Sequence, residues 1–577
     1  MSKWLSILSY LISIITTVIL LNSCNTNKLN EDRKVFRYNE YRNVTSLDPA
    51  FARNPQNIWP INQIFNGLVQ LDNDLRIIPE IANSWTISPD GLTYIFNLRE
   101  DVYFHSSPLF GSKKTRKVVA ADFVYSFDRL RNKKIASPGG WVMQQVNDYE
   151  AKEKHVLTIR LKNPFPAFLG LLTMRYCAVV PMEITSHYGE DFRSNPIGTG
   201  PFYFKQWDEN VKLVLRKNPK YFEIDEQGQR LPYLDAVAIE FIPDIQSEFM
   251  LFLQGKFDFI NSLDSSYKDE LLTPKGKIQT KYRDQLNMLK GPYLNTEYIG
   301  IYLENDNPAI QSKKIREAIN IGFDRKLMIA YLRNNIGYAS KKGFIPRGLP
   351  GSSTTNIKYD PNYARKLVND FITETKQTPK LTIATDANYL DICEYLQREL
   401  QKIGVEIKID VMPTASLRQA KSSGKLELFR ASWIADYPDA ENYLSLFNSF
   451  NFSPNGPNYT HYSSPEFDIL YKESLSLVSD SLRFKKYKKM DSLIMSDYPI
   501  IPLYYDQVIR FVQKNIQGME INPINLLVLK NIKKNKPLSL CDFQIRLNYD
   551  YSFLNLEYLF LNLSILPAVS TSFDFPV

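Results

Sequence analysis

Short apolar runs alternate with turn residues between positions 61 and 99, as in Leu68-Val69-Gln70-Leu71 before Asp72-Asn73-Asp74 and again around Ser88-Pro89-Asp90-Gly91. This pattern predicts strands joined by tight turns. Period-two alternation returns at 212–216 and 236–242, whereas 246–254 switches to helical spacing and is closed by Gly255 before a strand at 257–259. A later stretch repeats the scheme. Ile315, Ala318, Ile319, Phe323 and Leu327 mark one face of a helix that Ser312 could cap, with Lys313, Arg316 and Lys326 outward. Tyr359-Asp360-Pro361 opens a further helix, 381–384 reads as a strand, 389–403 as a helix and 405–409 as a strand. Units of strand, helix and strand predict mixed α/β lobes with right-handed crossovers.

At 577 residues the chain exceeds one ordinary domain, so two or three domains sharing a hinge are expected. Hydrophobic residues make up 44% and aromatic ones 13%, with 35 Tyr and 34 Phe, enough to build a large core and to line a wide cleft. The net charge of +8 arises from cations scattered among 62 acidic residues, which describes a solvated surface and not a nucleic-acid groove. Beyond Cys24 only Cys177, Cys393 and Cys541 remain, at spacings that form no metal or redox motif. A Cys177–Cys393 bridge is the one pairing entertained. Four histidines, at 105, 155, 187 and 461, sit too far apart to ligate a metal together, so no metal and no cofactor are expected. No serine elbow, histidine base or nucleophile pair appears, and a catalytic role is not expected.

The two ends differ from the middle. Residues 1–24 carry Lys3 as their one charge, an apolar run over 5–21, and Leu21-Asn22-Ser23-Cys24, which resembles a lipobox. That resemblance implies cleavage before Cys24, lipidation of Cys24, and a polar tether over 25–34; an uncleaved membrane anchor is the rival. The last 41 residues hold a single basic residue, Arg546, and 536–577 reads as an appendage without an assigned role.

Three motifs then fall in order. Pro79-Glu80-Ile81-Ala82-Asn83-Ser84-Trp85 leads through Pro89-Asp90-Gly91-Leu92-Thr93-Tyr94 to Ala121-Asp122-Phe123-Val124-Tyr125-Ser126-Phe127. Asn195-Pro196-Ile197-Gly198-Thr199-Gly200-Pro201 precedes Asn218-Pro219-Lys220-Tyr221, and Trp433-Ile434-Ala435-Asp436-Tyr437-Pro438-Asp439 follows a basic helical segment. The glycines of the second motif allow close backbone approach at a strand start. With Val44-Thr45-Ser46-Leu47-Asp48-Pro49 upstream, the chain resembles the bacterial extracellular solute-binding proteins of family 5 over about residues 35 to 530. One departure is the basic insertion at 106–117, expected to be a mobile loop.

The resemblance implies a type II periplasmic-binding-protein fold of two lobes with an extra small domain and mixed sheets flanked by helices. Lobe I would comprise 35–55, 195–297 and 505–535, the small domain 56–194, and lobe II 298–504. It also implies a peptide-capturing lipoprotein of an ABC importer. Such a protein, expected to be a monomer, would hold peptide ligands, dock on permease and ATPase subunits, stay in the periplasm or cell envelope by its lipid, and touch no nucleic acid. Asp436 is then the carboxylate for the ligand's α-ammonium, since a cation in a dry cleft needs a charged acceptor. Main-chain pairing would come from Asn43-Val44 and from Trp433-Ile434, with Tyr437 and Trp141 closing the site. Asp48-Pro49 is read as a turn without ligand contact, Asp439 as the helix cap, and core packing as the simpler account of Trp141. Non-peptide solutes of the same fold (an oligosaccharide, a nickel chelate, a peptide-like antibiotic) remain open, as does a lipid-anchored scaffold or adhesin.

Overall fold

Alternating apolar positions form the sheets where the sequence places them. In the computed structural model, which describes residues 33–535 except 262, 263, 265, 354 and 355, Val35–Asn39 pairs in parallel with Ala236–Glu240. That strand continues antiparallel through Lys212–Lys217 to Phe202–Asp208. Leu213 and Leu215 are fully buried between half-exposed neighbours, as period two requires. A second, antiparallel sheet runs Ala82–Ile87, Thr93–Leu98, Val156–Leu161, Val146–Glu153. The Ala120–Arg131 helix belongs with it and buries Phe123 and Phe127 completely. The leader with Cys24 and the segment 536–577 lie outside the described residues. Among the described residues no helix is long and apolar enough to cross a membrane.

The third sheet is the largest and contains two long strands, Leu286–Ile301 and Ile500–Gln513. They pair antiparallel from Leu286 opposite Gln513 to Gly300 opposite Ile500, with register breaks between Pro292 and Thr296 and between Glu297 and Tyr298. One end of this ribbon pairs with Phe259–Asn261, the other with Leu428–Ile434. Lys380–Thr385 and Glu406–Val411 extend the sheet beyond Leu428–Ile434 in parallel. The expected boundaries at 297/298 and 504/505 lie within these two strands, the first of them at a register break. Arg510, on the second of these strands, is fully buried and gives its guanidinium to the Glu520, Asn525 and Leu526 carbonyl oxygens at 2.9, 3.4 and 3.2 Å.

One apolar core runs continuously through the first two sheets, from Phe36 and Val237 to Phe96 and Phe168. Three other cores flank the third sheet, around Ile299, Ile383 and Leu396, around Tyr298, Phe429 and Phe447, and around Phe252, Leu286 and Phe511.

The Gly198-Thr199-Gly200 turn shows why small residues are needed there. A Cβ on Gly198 would stand 2.1 Å from the Ile64 carbonyl oxygen, and one on Gly200 2.5 Å from that of Gln63. His105 clamps the turn: its Nδ1 accepts the Gly198 N–H at 3.3 Å, so Nε2 carries the proton donated to the Gly200 carbonyl at 2.9 Å. Burial pushes this imidazole down to about 4.

Several expectations are corrected. The insertion 106–117 is organised around a Pro108–Lys113 3-10 helix, and Arg116 binds both Asp122 and Glu183 while lying over the Phe104 ring. Cys177 and Cys393 are both free and buried, with no bridge between them. The single helix expected from Ser312 is two, Lys313–Ile321 and Arg325–Arg333; the Ser312 side chain makes no cap bond, whereas Asp324 caps the second. Asp48 does more than turn the chain. It caps the Pro49–Phe51 turn at Ala50 and holds Arg129 bidentately at 3.0 and 2.7 Å, with both residues buried.

Removing one partner of that pair strands the other's charge in a dry site. Asp48→Ala is expected to lower unfolding free energy by about 3–5 kcal/mol, read by urea denaturation, while an apolar replacement of both residues recovers part of the loss. Gly198→Ala, which must push apart two backbones, is expected to lower the melting temperature by several degrees, for a cost of about 2 kcal/mol or more.

Candidate functional site: an interlobe cleft

The Trp433 to Asp439 segment leaves the third sheet at its strand end and turns toward the other body. Leu428–Ile434 pairs on one edge with the long strand, Thr296 opposite Trp433 and Asn295 opposite Ile434. On its other edge Lys380–Thr385 contacts only Leu428 and Phe429, so Arg430 to Ile434 present a main-chain edge without a strand neighbour. A second such edge lies at Asn43 and Val44. Val44 has its side chain buried, Asn43 is exposed, and among the described residues no hydrogen bond involves the backbone of either.

Asn442 sets the turn that follows. Its Oδ1 accepts from Trp433 Nε1 at 2.9 Å and from the Asp436 backbone N–H at 3.2 Å, and its Nδ2 donates to Asp436 Oδ2 at 3.4 Å. Asp439 accepts the Glu441 N–H at 2.9 Å and pairs with Arg483 at 3.3 Å. The N-cap of the Glu441–Leu444 helix is Ala440 and not the expected Asp439, which lies one residue before it, while the Asp436 carboxylate has one long hydrogen bond.

Asp436 combines two properties that rarely coincide. It is exposed, yet protein crowds it closely enough that desolvation holds its carboxyl above the usual carboxylate range, against the lowering pull of Asn442. A cleft reconciles them: water molecules reach the group, but the surroundings are too poor in water to solvate its charge fully. The opposite wall comes from the second sheet's body. Tyr176 there feels the charges of both Asp436 and Arg53. Tyr437, from the same turn as Asp436, is buried in the core of the first two sheets, against Gly170, where an added Cβ would lie 3.4 Å from the Tyr437 Cβ. Its hydroxyl and that of Tyr471 both donate to the buried Glu441.

Trp141 is not a core residue. It is 37% exposed and faces Tyr437 with ring centres 6.5 Å apart, at the same rim. Asp436, Trp433, Ile434, Tyr437 and Trp141 are thus brought to one region by the turn and its facing wall, whereas no contact among the described residues ties Asn43-Val44, on the other body, to that turn.

Several residues here carry no sequence motif. Arg430 is buried, binds Glu297 and lies over the Tyr389 ring, which neutralises it. Lys421 is different: its Nζ stands 4.3 Å from the Tyr459 ring centre, no carboxylate meets it, and desolvation, aided by Arg430 and Arg418, pushes the amine down to about 8. Asn442 and Lys421 were unreadable in advance because each acts through a fold contact and not through a spacing. A cavity of about 590 Å³ lies elsewhere, on the flank of Ile500–Gln513 away from Trp433, among Lys326, Tyr338, Lys341, Lys342 and Arg347. Its cations are solvent-exposed.

Comparison with known proteins identifies the family and the fold. Residues 76–454 match the model of bacterial extracellular solute-binding proteins, family 5 middle. The glutathione-binding protein GsiB of Salmonella typhimurium is 26% identical over 494 residues, covering 83% of this chain and 91% of that protein. A probable di/tripeptide-binding protein of Pseudomonas aeruginosa is 26% identical over 492 residues, covering 80% and 88%. Among solved structures, the periplasmic binding protein DppA of Helicobacter pylori, in complex with peptide STSA, superposes with a TM-score of 0.72 at 22% identity, covering 87% of this chain and 98% of that one. A dipeptide-binding protein of Pseudoalteromonas, in complex with Met-Leu, gives 0.73 at 21%, covering 87% and 100%. The two-lobed periplasmic-binding-protein architecture is therefore shared, and the chain belongs to family 5 of the bacterial extracellular solute-binding proteins.

Proposed function

We propose that this protein is the ligand-capturing component of an ABC importer, tethered to the cell envelope by lipid on Cys24, and that it takes peptides in the cleft between its lobes. The observation that carries this reading is the pairing of an open, poorly solvated carboxylate with two unpaired main-chain edges. An extended peptide completes such edges by strand-like hydrogen bonds that ignore side-chain identity. Asp436 then receives the α-ammonium, a charge-assisted bond strengthened by the low local dielectric. The names of the relatives, glutathione-binding and di/tripeptide-binding, support a peptide-sized solute. Closure of the lobes brings ligand contacts from both bodies together, so bound peptide favours the closed form by its differential contacts. A permease would recognise that form while ATP is hydrolysed on separate subunits.

Mass spectrometry of material released by denaturation from the purified protein tests the solute class. A ladder of short peptides is the expected result; a single non-peptide species would redirect the reading to another solute of this fold. Asp436→Ala is expected to weaken free-amine peptides by about 2–5 kcal/mol while sparing their N-acetylated forms, as measured by calorimetry. The pH dependence follows from sign. Protonation removes the counter-charge, and the carboxyl of the empty cleft titrates above the ordinary range. Affinity for free-amine peptides should therefore fall on acidification before an ordinary aspartate would protonate, and Asp436→Ala should abolish that dependence.

A further inference from the structure

Four cations converge on the cavity that flanks Ile500–Gln513. Lys326 comes from the first turn of the Arg325–Arg333 helix, Lys341 and Lys342 from the segment after Tyr338–Ala339, and Arg347 from the loop that follows. Each is exposed, and scattered singly such side chains would be ordinary solvated surface. Here separate segments bring them around one hollow of about 590 Å³, a size typical of small-molecule sites, and among the described residues no carboxylate lines it. Among the described residues none of the four forms an ion pair, whereas exposed cations elsewhere do, as Arg193 with Glu209 and Lys314 with Glu374. A concave wall carrying one sign of charge focuses its field and concentrates counter-ions.

The wall is built on fixed backbone. Tyr338–Ala339 pairs with Tyr504 and Tyr505, and the Tyr505 hydroxyl donates to the Gly343 carbonyl at 2.7 Å. Asp491, fully buried, accepts the N–H groups of Phe344 at 2.8 Å and of Ser353 at 2.6 Å, so the segment carrying Arg347 is tied at both ends. The Arg347 guanidinium lies over the Tyr338 ring, 5.0 Å from its centre, and Gln507 Nε2 donates to the Tyr338 hydroxyl at 3.0 Å. Stacking orients the planar fork and leaves its N–H edge open, the geometry that grips a phosphate bidentately, and the lysines add point charges for the same group. The hollow is larger than a bare phosphate, and Tyr338 with Ala339 gives an organic remainder an apolar seat.

We propose that this cavity binds a multiply charged organic phosphate, at a site outside the interlobe cleft and independent of peptide capture. A soluble phosphorylated compound and a phospholipid headgroup both carry that chemistry.

The test is titration calorimetry of the full-length protein with two probes, inorganic pyrophosphate and dihexanoyl phosphatidic acid. Saturable binding of one equivalent is expected; tighter binding of pyrophosphate marks a soluble ligand, and tighter binding of phosphatidic acid a headgroup. Lys341→Gln/Lys342→Gln should weaken the tighter probe by about tenfold, and Arg347→Lys, which keeps the charge but removes the fork, by about fivefold. Lys133→Gln/Lys134→Gln, which removes the same charge from the exposed turn after the Ala120–Arg131 helix, should leave affinity within about twofold. Absence of binding by both probes overturns the inference, as does full affinity in both cavity variants. An equal loss in the Lys133/Lys134 variant also overturns it, because attraction to net charge alone would then account for the binding.

Discussion

The architecture depends on two strands that never stop. Leu286–Ile301 and Ile500–Gln513 run as one antiparallel ribbon through the third sheet, and its opposite ends are paired with different neighbours. Main-chain hydrogen bonds keep such a ribbon stiff along its length. Its ladder is irregular only at the register breaks between Pro292 and Thr296 and between Glu297 and Tyr298. Thr296 lies opposite Trp433, so one register break and the Trp433–Asp439 turn share one level of the sheet.

The walls themselves are fixed by different means. On one side the continuous core from Phe36 to Phe168, reinforced by the Asp48–Arg129 pair, makes the first two sheets a single body. On the other, Asn442 holds Trp433 and Asp436 by three hydrogen bonds to one amide. These bonds hold the neighbours of the turn in place, and an open polar edge or a half-solvated carboxylate persists only where the surroundings prevent collapse onto it.

Most of the fold was legible because apolar periodicity reports burial directly, as at Leu213 and Leu215 or Phe123 and Phe127. The close approach at Gly198 and Gly200 was also readable, since few other reasons require two glycines around one threonine at a strand start. What escaped was long-range. The Asp48–Arg129 pair spans 81 residues and looks from sequence like an ordinary Asp-Pro turn. The helix ends at Ile321, where a Cβ on Gly322 would stand 2.6 Å from Ile403, a neighbour that no local pattern foretells. Trp141 looked like core because tryptophan usually is, yet it sits at a rim. At the site, the motif pointed to the turn but not to Asn442 or Lys421, whose roles exist only once distant strands are assembled.

Adjacent residues of one turn face different tasks. Asp436 looks into the cleft, and Tyr437, the next residue along, is seated in the core of the opposing body beside Gly170. The peptide bond between them leaves little slack, so any displacement of the carboxylate drags the ring. On the proposed reading, sensing a charge and latching two bodies are thereby one mechanical event, and a mutation that loosened the latch would also blunt the sensor.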